Sequence, residues 1–369
     1  MDKYDVVIAG GGPAGSVAAR TLAAHGVKVL LVEKDLKRVK PCGGAVPSVA
    51  FEEFNLPEEQ ITKKIKTLSI ISPAGFRIDT YIKNGYIALV ERGALDSFLR
   101  RQAVESGADL LEAELCRAEA RGGENFLTVA ENEKERIIKS DFLISADGVN
   151  SRIARCMGLE SLPCVYTIQE DIKLSAEEKF SSINSCEFWL GLSHAPHFYS
   201  WIFPKKDYID IGTSSIDGKA LKGLMKNFKM RCSINTEGRQ KVYRLPLKQR
   251  KPLIYGNILF VGDAAGLVMP LSCEGIYYAM KSGKMAAEAI IAGKPKSYEK
   301  AWNRSFRGQF NFMGRLGRYF LKNDKLMEKL VQLHKSEKVQ DASLKLWFEK
   351  DLRLSSFLSY ISFFKNFLK

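Results

Sequence analysis

The chain has 369 residues, of which 46% are hydrophobic and 27% are charged, a composition typical of a globular protein rather than a disordered one. Its mean hydropathy is -0.14 and no apolar run approaches the length that spans a bilayer, which argues against an integral membrane protein. The formal net charge of +14 would attract many kinds of anionic partner, so the charge alone selects none of them.

The first predicted elements form a strand, a helix and a second strand. Asp5 to Ala9 and Val27 to Val32 are continuous apolar runs, and the alanine-rich stretch from Ser16 to His25 has a helical pattern. With a glycine-rich first turn, this unit is typical of the mononucleotide-binding half of a doubly wound sheet. Because the first strand follows Met1-Asp2-Lys3 directly, no room is left for a secretory signal peptide, and we expect a cytoplasmic protein.

The middle of the chain predicts a second, mostly antiparallel domain. Short β-rich runs alternate with Gly, Pro and Asn turns over residues 65–91, and short strands predominate again over 164–245. A buried strand of parallel type returns at 258–261, and a strong helix follows from Gly275 to Ala292. The first domain is therefore completed late, and from Trp302 onward the pattern is helical.

The glycine-rich turn is Gly10-Gly11-Gly12-Pro13-Ala14-Gly15, which follows the first strand and opens the first helix. In this context Gly10 permits the tight turn, Gly12 lets backbone amides approach a pyrophosphate, and Gly15 allows close packing of the helix. The positive N-terminal end of the helix stabilises the phosphate charge. Glu33, at the end of the second strand, is placed to accept hydrogen bonds from the adenosine ribose. The turn predicts a dinucleotide site without distinguishing FAD from NAD.

Two later segments favour FAD. Gly262-Asp263 follows a buried strand, as in flavoproteins whose aspartate holds the ribityl chain, and Ala146-Asp147-Gly148 fits the matching pattern near the pyrophosphate. Each alone could be an ordinary turn, because Asp and Gly favour turns, but the three motifs in this order predict a flavoprotein. No second glycine motif of this kind lies between a strand and a helix. We therefore expect a transient electron donor, either NADPH or a small acidic protein such as reduced ferredoxin.

Five further segments carry a family resemblance. They are Lys40-Pro41-Cys42-Gly43-Gly44-Ala45-Val46-Pro47, Phe54-Asn55-Leu56-Pro57, Ile71-Ser72-Pro73, Tyr199-Ser200-Trp201-Ile202-Phe203-Pro204 and Glu274-Gly275-Ile276-Tyr277-Tyr278-Ala279-Met280-Lys281-Ser282-Gly283. From Tyr4 to Ala292 the chain resembles the FAD-dependent geranylgeranyl reductases, within the wider group of flavoproteins built like p-hydroxybenzoate hydroxylase. The resemblance is closest to the chlorophyll-pathway members.

This resemblance implies roles for particular residues. It assigns to FAD the residues Ala14, Glu33, Arg92, Asp263, Gly275 and Ile276, with Cys42, Gly43 and Gly44 beside the isoalloxazine ring. The helix start at Gly275-Ile276 also has unpaired amides and a positive dipole end that suit the negative charge of reduced flavin. Cys42 is implied to lie at the active site, where it is either a proton donor to the reduced double bond or a small packing thiol. The seven cysteines include no CxxC pair, so neither a disulfide framework nor a metal site is predicted.

Tyr199, Trp201 and Phe203 alternate as strand residues do, with Pro204 ending the strand. They should therefore point to one side, where they could line an apolar channel for substrate or form ordinary core. The resemblance favours substrate contact. The segment is also similar to the Trp-x-Trp-x-Ile-Pro motif of flavin halogenases, from which Tyr199 and Phe203 depart, and this departure favours a reductase.

The C-terminal segment from Leu354 combines apolar and basic residues. It contains Phe357, Leu358, Tyr360, Ile361, Phe363, Phe364, Phe367 and Leu368 among Lys365 and Lys369. This pattern suits a helix lying on an anionic membrane surface, and it equally suits a helix packed on the protein. Basic clusters at 34–40 and 63–66 lack interleaved aromatics, so no nucleic-acid partner is expected.

Together these features predict an α/β fold, with a Rossmann-type FAD-binding domain interleaved with a mostly antiparallel β-sheet substrate domain, plus a helical C-terminal region. The predicted boundaries are 1–64, 92–110, 140–160 and 250–295 for the first domain, 65–91, 111–139 and 161–249 for the second, and 296–369 for the helical region. The resemblance implies a reductase that saturates carbon–carbon double bonds of a long isoprenoid chain in a diphosphate, lipid or quinone. A flavin-dependent monooxygenase or halogenase acting on an aromatic substrate is the alternative, and a non-catalytic flavin-bearing lipid-binding protein is a further one.

Overall fold

The computed structural model describes residues 2–132, 134–173, 184–351 and 354–364. The strands are β1 (Asp2–Ala9), β2 (Val29–Glu33), β3 (Ala45–Pro47), β4 (Ile61–Ile65), β5 (Thr67–Ile71), β6 (Arg77–Tyr81), β7 (Ile87–Val90), β8 (Asp109–Glu112), β9 (Glu114–Arg121), β10 (Glu124–Glu131), β11 (Lys134–Ser145), β12 (Cys164–Lys173), β13 (Ser185–Trp189), β14 (Ser200–Pro204), β15 (Tyr208–Ser215), β16 (Arg239–Pro246), β17 (Ile254–Tyr255) and β18 (Ile258–Phe260). The helices are α1 (Pro13–Ala23), α2 (Ser48–Phe54), α3 (Arg92–Glu105), α4 (Arg152–Cys156), α5 (Leu221–Arg231), α6 (Ile276–Ile291), α7 (Ser297–Phe320), α8 (Asp324–Leu333), α9 (Glu337–Trp347) and α10 (Leu354–Phe364).

These elements form two compact units, each assembled from three stretches of chain. The first unit runs up to Val39 and then takes Gly93–Cys164 and Leu245–Gly308. The second takes Lys40–Arg92, Val165–Arg244 and the chain from Gln309 onward. The interleaved α/β architecture predicted from the sequence is confirmed.

The first unit is built on a mostly parallel sheet with strand order β17-β18-β11-β1-β2-β8, in which the edge strand β17 runs antiparallel to β18. At its centre β1 runs parallel to both β2 and β11, and Val6 pairs with Val29 on one side and Phe142 on the other. The apolar runs of β1 and β2 are buried, as expected for central parallel strands. Helices α1 and α6 pack closely, since a Cβ added at Gly283 would lie 2.1 Å from Ala14 O.

The unit boundaries differ from those predicted, most of all in three places. The hairpin of β9 and β10 joins the first unit, because β10 pairs antiparallel with the N-terminal half of β11. Residues 40–64 join the second unit, because β3 and β4 both pair with β7. The chain from Gln309 onward belongs to the second unit rather than to a separate helical region, and Leu344 of α9 and Phe348, the residue after α9, belong to the core of that unit.

The second unit contains a seven-stranded sheet with strand order β16-β12-β15-β14-β13-β5-β6. Its pairs are antiparallel where β14 meets β13 and β15, whereas β13 runs parallel to β5. One face packs on α5 through a cluster made of Ile168, Ile172, Ile202, Ile209, Ile211, Leu221, Met225, Phe228 and Ile234. The opposite face carries the aromatic residues of the predicted substrate site.

The last described helix, α10, packs on α7. Tyr360 and Phe364 are buried, and their rings meet Phe312 and Phe320 edge to face at 5.9 and 5.8 Å. Leu358 is exposed. The predicted residues Lys365, Phe367, Leu368 and Lys369 lie outside the described part of the chain. Among the described helices, none has the length and apolarity needed to cross a membrane.

Candidate cofactor and substrate sites

The glycine-rich turn packs tightly against the protein at Gly10 and Gly15 and leaves open space at Gly12. A Cβ added at Gly10, where φ is +106°, would lie 2.3 Å from Ala146 O, and one added at Gly15 would lie 1.9 Å from Gly10 O. By contrast, no heavy atom lies within 4 Å of a Cβ added at Gly12. Gly12 is the N-cap of α1, whose first-turn amides have no intrahelical acceptor. The turn therefore offers backbone N–H groups, and room for an anion to approach them, at the position predicted for a pyrophosphate.

Glu33 and Arg100 both hold this turn through hydrogen bonds with Gly11. Glu33 Oε2 accepts a hydrogen bond from Gly11 N at 2.7 Å, and its Oε1 accepts one from Lys34 N at 3.0 Å. Arg100, which is buried on α3, donates to Gly11 O at 3.1 Å and to Leu36 O at 2.8 Å. The Glu33 carboxylate is thus fixed by backbone amides, as a ribose acceptor requires. Sequence reasoning missed Arg100, because no motif marks an arginine within a helix.

Asp147 lies beside the turn, since a Cβ at Gly10 would also approach Asp147 N at 2.9 Å. Its Oδ2 accepts hydrogen bonds from Arg152 N at 2.7 Å and Ile153 N at 3.1 Å, and its Oδ1 accepts one from Ser145 Oγ at 2.7 Å. The carboxylate therefore ties the end of β11 to the start of α4. This supporting role was not predicted, and the predicted contact with the pyrophosphate region stays a prediction.

The Gly262-Asp263 segment packs against the glycine-rich turn at Ala14. A Cβ added at Gly262, where φ is +54°, would lie 3.1 Å from Ala14 Cβ, and Gly262 N donates to Ser282 Oγ at 3.0 Å. A Cβ at Gly275, the N-cap of α6, would lie 3.7 Å from Asp263 Oδ1. The carboxylate of Asp263 and the start of α6 at Ile276 are therefore neighbours.

The residues of the first unit fit FAD. Sequence segments more than a hundred residues apart converge on one turn. Gly12 leaves open space there, and the carboxylates of Glu33 and Asp263 and the starts of α1 and α6 belong to the segments that converge. The start of α1 would bind the pyrophosphate, Glu33 the adenosine ribose and Asp263 the ribityl hydroxyls. The start of α6 would face the flavin ring.

In the second unit, the segment Cys42-Gly43-Gly44 packs so closely against its neighbours that neither glycine has room for a side chain. A Cβ added at Gly43 would lie 2.6 Å from the Phe203 ring, and one at Gly44, where φ is +68°, would lie 2.3 Å from Val90 O. Cys42 Sγ accepts a hydrogen bond from Gly44 N at 3.4 Å. Arg92, the first residue of α3, is buried and also belongs to this unit. The flavin contacts predicted for these residues stay predictions.

Tyr199, Trp201 and Phe203 lie on one face of the second unit's sheet, as predicted. The ring centroids of Tyr199 and Trp201 are 6.3 Å apart, and those of Trp201 and Phe203 are 6.4 Å apart. Phe188 of β13 meets Tyr199 and Phe203 edge to face, and Pro204 is the last residue of β14. We call this set of four rings the aromatic face. Aliphatic side chains extend it, namely Ile65, Ile82, Ile87, Leu89 and Leu344.

A buried polar group lies beneath the aromatic face. Asp210 of β15 accepts hydrogen bonds from Trp201 Nε1 at 2.5 Å and from Gln169 Nε2 at 3.0 Å. Burial raises the pKa of the Asp210 carboxyl to about 7, although the nearby Lys205 ammonium opposes the rise. Gly212 makes room for the indole, because a Cβ there would lie 1.9 Å from Trp201 Cζ2. Sequence reasoning missed these residues, although an aspartate at an inward position of a buried strand was a readable signal.

The comparisons with known proteins agree with this geometry. Residues 3–292 match the family model described as an FAD binding domain. The chain is 31% identical to the chloroplastic geranylgeranyl diphosphate reductase of Oryza sativa subsp. japonica, over 97% of this chain and 81% of that protein. It is 33% identical to the digeranylgeranylglycerophospholipid reductase of Methanocaldococcus jannaschii, over 82% of each protein.

Among solved structures, the chain has a TM-score of 0.85 with the crystal structure of a geranylgeranyl bacteriochlorophyll reductase-like protein from Thermoplasma acidophilum. That match covers 99% of this chain and 98% of the other, at 24% identity. It supports the same fold over the length of the chain.

Proposed function

The chain belongs to the FAD-dependent geranylgeranyl reductase family, and we propose that it saturates carbon–carbon double bonds of a long isoprenoid chain. One observation carries the choice of substrate class. The sheet face beside the Cys42-Gly43-Gly44 segment bears aromatic and aliphatic side chains, and the buried carboxylate among them, Asp210, already accepts hydrogen bonds from Trp201 and Gln169. A prenyl chain has no hydrogen-bonding groups, so it needs apolar walls of this kind.

Residues of the first unit would hold the cofactor through backbone amides and two carboxylates. FAD, when bound, supplies the hydride. The start of α1 binds its pyrophosphate, and Glu33 and Asp263 accept hydrogen bonds from its two sugar-like segments. The unpaired amides at Gly275 and Ile276 stabilise negative charge on the flavin ring, and the positive end of α6 adds to that effect.

Residues of the aromatic face would contact the prenyl chain. Trp201 and Phe203 are buried, whereas Tyr199 is partly exposed. Flat rings give large contact areas at a low cost in conformational entropy, because each has only two side-chain torsions. They also exclude water from the reacting double bond.

Saturating a double bond requires a proton at the second carbon in addition to the hydride at the first. We assign this proton to the Cys42 thiol. The S–H bond breaks as the new C–H bond forms, and the thiolate left behind accepts the hydrogen bond from Gly44 N. Water then returns a proton to the sulfur, so the protein is restored.

The charge of the protein and the nature of its substrate suggest an electron donor and a membrane partner. The net charge of +14 favours a small acidic protein such as ferredoxin as electron donor, with NADPH as the alternative. A prenyl lipid reaches the protein most readily from a membrane, so we propose peripheral contact with anionic lipid through the exposed side of α10 around Leu358. Unchanged liposome binding after truncation before Leu354 would exclude this contact.

The test is an anaerobic assay of the dithionite-reduced holoenzyme with geranylgeranyl diphosphate, followed by mass spectrometry of the product. We expect the prenyl chain to gain hydrogen in pairs without oxygen. Substrate-dependent oxygen uptake with NADPH, and no saturated product, would instead identify a monooxygenase or halogenase. Bound FAD that no donor reduces would identify a non-catalytic protein.

A further inference from the structure

Asp210 is a buried carboxylate beneath the aromatic face. Only 1% of its surface is exposed, and each of its oxygens accepts a hydrogen bond from a neutral donor, the Trp201 indole or the Gln169 amide. Burial of a charge held by neutral donors is costly. Packing alone would be served better by an apolar residue at this position, so the carboxylate calls for a functional explanation.

Charged and titratable groups face Asp210 from the surrounding strands. They are Lys205 just after β14, Asp171 of β12, Lys241 of β16 and Tyr208 of β15. Glu91, which follows β7, lies near Lys205 and accepts a hydrogen bond from Tyr208. Lys241 pairs with Asp171, and Lys205 Nζ donates to Val90 O at 2.9 Å. Among the described residues, the hydrogen bonds of the Asp210 carboxylate come from Trp201 and Gln169 and not from these groups. With burial raising the pKa of Asp210 to about 7, the carboxyl would change its charge near neutral pH.

The Trp201 indole is held both by steric contacts and by a hydrogen bond. Below the ring, Gly212 supplies the space for it, and the neighbouring rings of Tyr199 and Phe203 limit its sideways movement. The polar restraint is the bond from Nε1 to Asp210 Oδ1. If the ring turned away, a buried N–H and a buried carboxylate would both lose a partner, which is unfavourable.

We propose that Asp210 is a positioning residue that fixes the Trp201 indole, and that the ionisation of its carboxyl controls how tightly the protein binds a prenyl chain. The part concerning binding rests on the proposed function, because it requires Trp201 to contact the substrate. The ionised carboxylate makes a charge-assisted bond, which is stronger than the bond to a protonated carboxyl. An indole ring that is already fixed before the ligand binds loses less conformational entropy on binding, which favours affinity.

The positioning is tested on the oxidised holoenzyme labelled with ¹⁵N-tryptophan. Trp201→Phe assigns the indole N–H signal of Trp201 in the NMR spectrum. We expect this signal to shift with pH, with a midpoint near pH 7, and to be independent of pH in Asp210→Asn. Asp79→Asn, which removes an exposed carboxylate from the edge strand β6 of the same sheet, should titrate like the wild type.

Gln169→Leu keeps the test decisive if Asp210→Asn does not fold. It removes a donor to the charged form, so the midpoint should move to higher pH. A Trp201 signal that does not change with pH in the wild type, or a shift that survives in Asp210→Asn, overturns the positioning role.

The binding part is tested with geranylgeraniol, which has no phosphate to titrate. We expect its Kd to be about fivefold higher at about pH 6 than at about pH 8 in the wild type and in Asp79→Asn, and equal at both in Asp210→Asn. A wild-type Kd that does not change while the indole signal titrates overturns this part. Failure of the proposed function appears separately, as a reduced holoenzyme that saturates no prenyl substrate whatever the NMR result.

Discussion

The cofactor site of the first unit and the aromatic face of the second are built in different ways. At the cofactor site the backbone makes the shape: Gly10 and Gly15 contact main-chain oxygens so closely that no side chain fits. On the aromatic face, side chains from separate strands make the shape, and two glycines there contact rings rather than main-chain oxygens: Gly212 contacts the Trp201 ring and Gly43 contacts the Phe203 ring. A methyl group added at a closely packed glycine of the cofactor site should therefore abolish most FAD binding. A methyl group added on the aromatic face should reduce stability and substrate affinity only partly.

The largest expected effect is at the backbone site. A Cβ in Gly15→Ala would lie 1.9 Å from Gly10 O, so the turn must open, and we expect FAD affinity to fall by about a hundredfold or more. Flavin absorbance of the purified protein measures the loss. Gly223→Ala, at a helical position with no atom within 4 Å of the added Cβ, is the matched control and should retain full flavin.

Gly12→Ala sharpens the same contrast. Its Cβ meets no protein atom within 4 Å, so the apoprotein should melt at the wild-type temperature while FAD binding weakens about tenfold or more. Loss of apoprotein stability equal to that of Gly15→Ala would show that the open space at Gly12 is not reserved for the cofactor.

Removal of the Cys42 thiol should lower the rate of the reaction without disturbing the cofactor site or the aromatic face. If Cys42 supplies the proton, Cys42→Ala should lower kcat by about a hundredfold or more, with unchanged flavin content. Cys156→Ala, at an exposed cysteine, should have no effect on kcat. Equal kcat values for both variants would identify Cys42 as a packing thiol.

Gly212→Ala should produce a graded effect on the aromatic face. The added Cβ overlaps the Trp201 ring, and repacking a filled site typically costs about 1–3 kcal/mol. We expect urea unfolding at correspondingly lower concentration and a higher KM for the prenyl substrate, with FAD retained. Loss of FAD comparable to Gly15→Ala would contradict the distinction between the two sites.

Asp210 is expected to make the stability of the second unit depend on pH. Its folded pKa of about 7 exceeds the unfolded value of about 4, so the folded state is favoured by protonation and loses stability as pH rises through this interval. Asp210→Asn should remove that slope and gain up to about 2–4 kcal/mol relative to the wild type above pH 7. Urea unfolding at several pH values measures the difference, and a constant difference across the interval would contradict it.

The same contrast explains what the sequence could and could not predict. The turn from Gly10 to Gly15 and the later Gly262-Asp263 were recognisable because backbone geometry demands glycine at fixed local spacing. The hairpin of β9 and β10 was assigned to the other domain, because alternating strands look alike whichever sheet they join. Arg100 and Asp210 were missed, since neither belongs to a local motif and their partners, Gly11 for Arg100 and Trp201 and Gln169 for Asp210, lie on other elements of the fold.

The most direct test of the account is a single-turnover measurement without oxygen. The dithionite-reduced holoenzyme, freed of excess reductant, is mixed with geranylgeranyl diphosphate while flavin absorbance is followed and the product is quantified. We predict that flavin is re-oxidised on mixing, with one double bond saturated for each flavin. Flavin that stays reduced until air is admitted would contradict the assignment of this chain as an isoprenoid reductase.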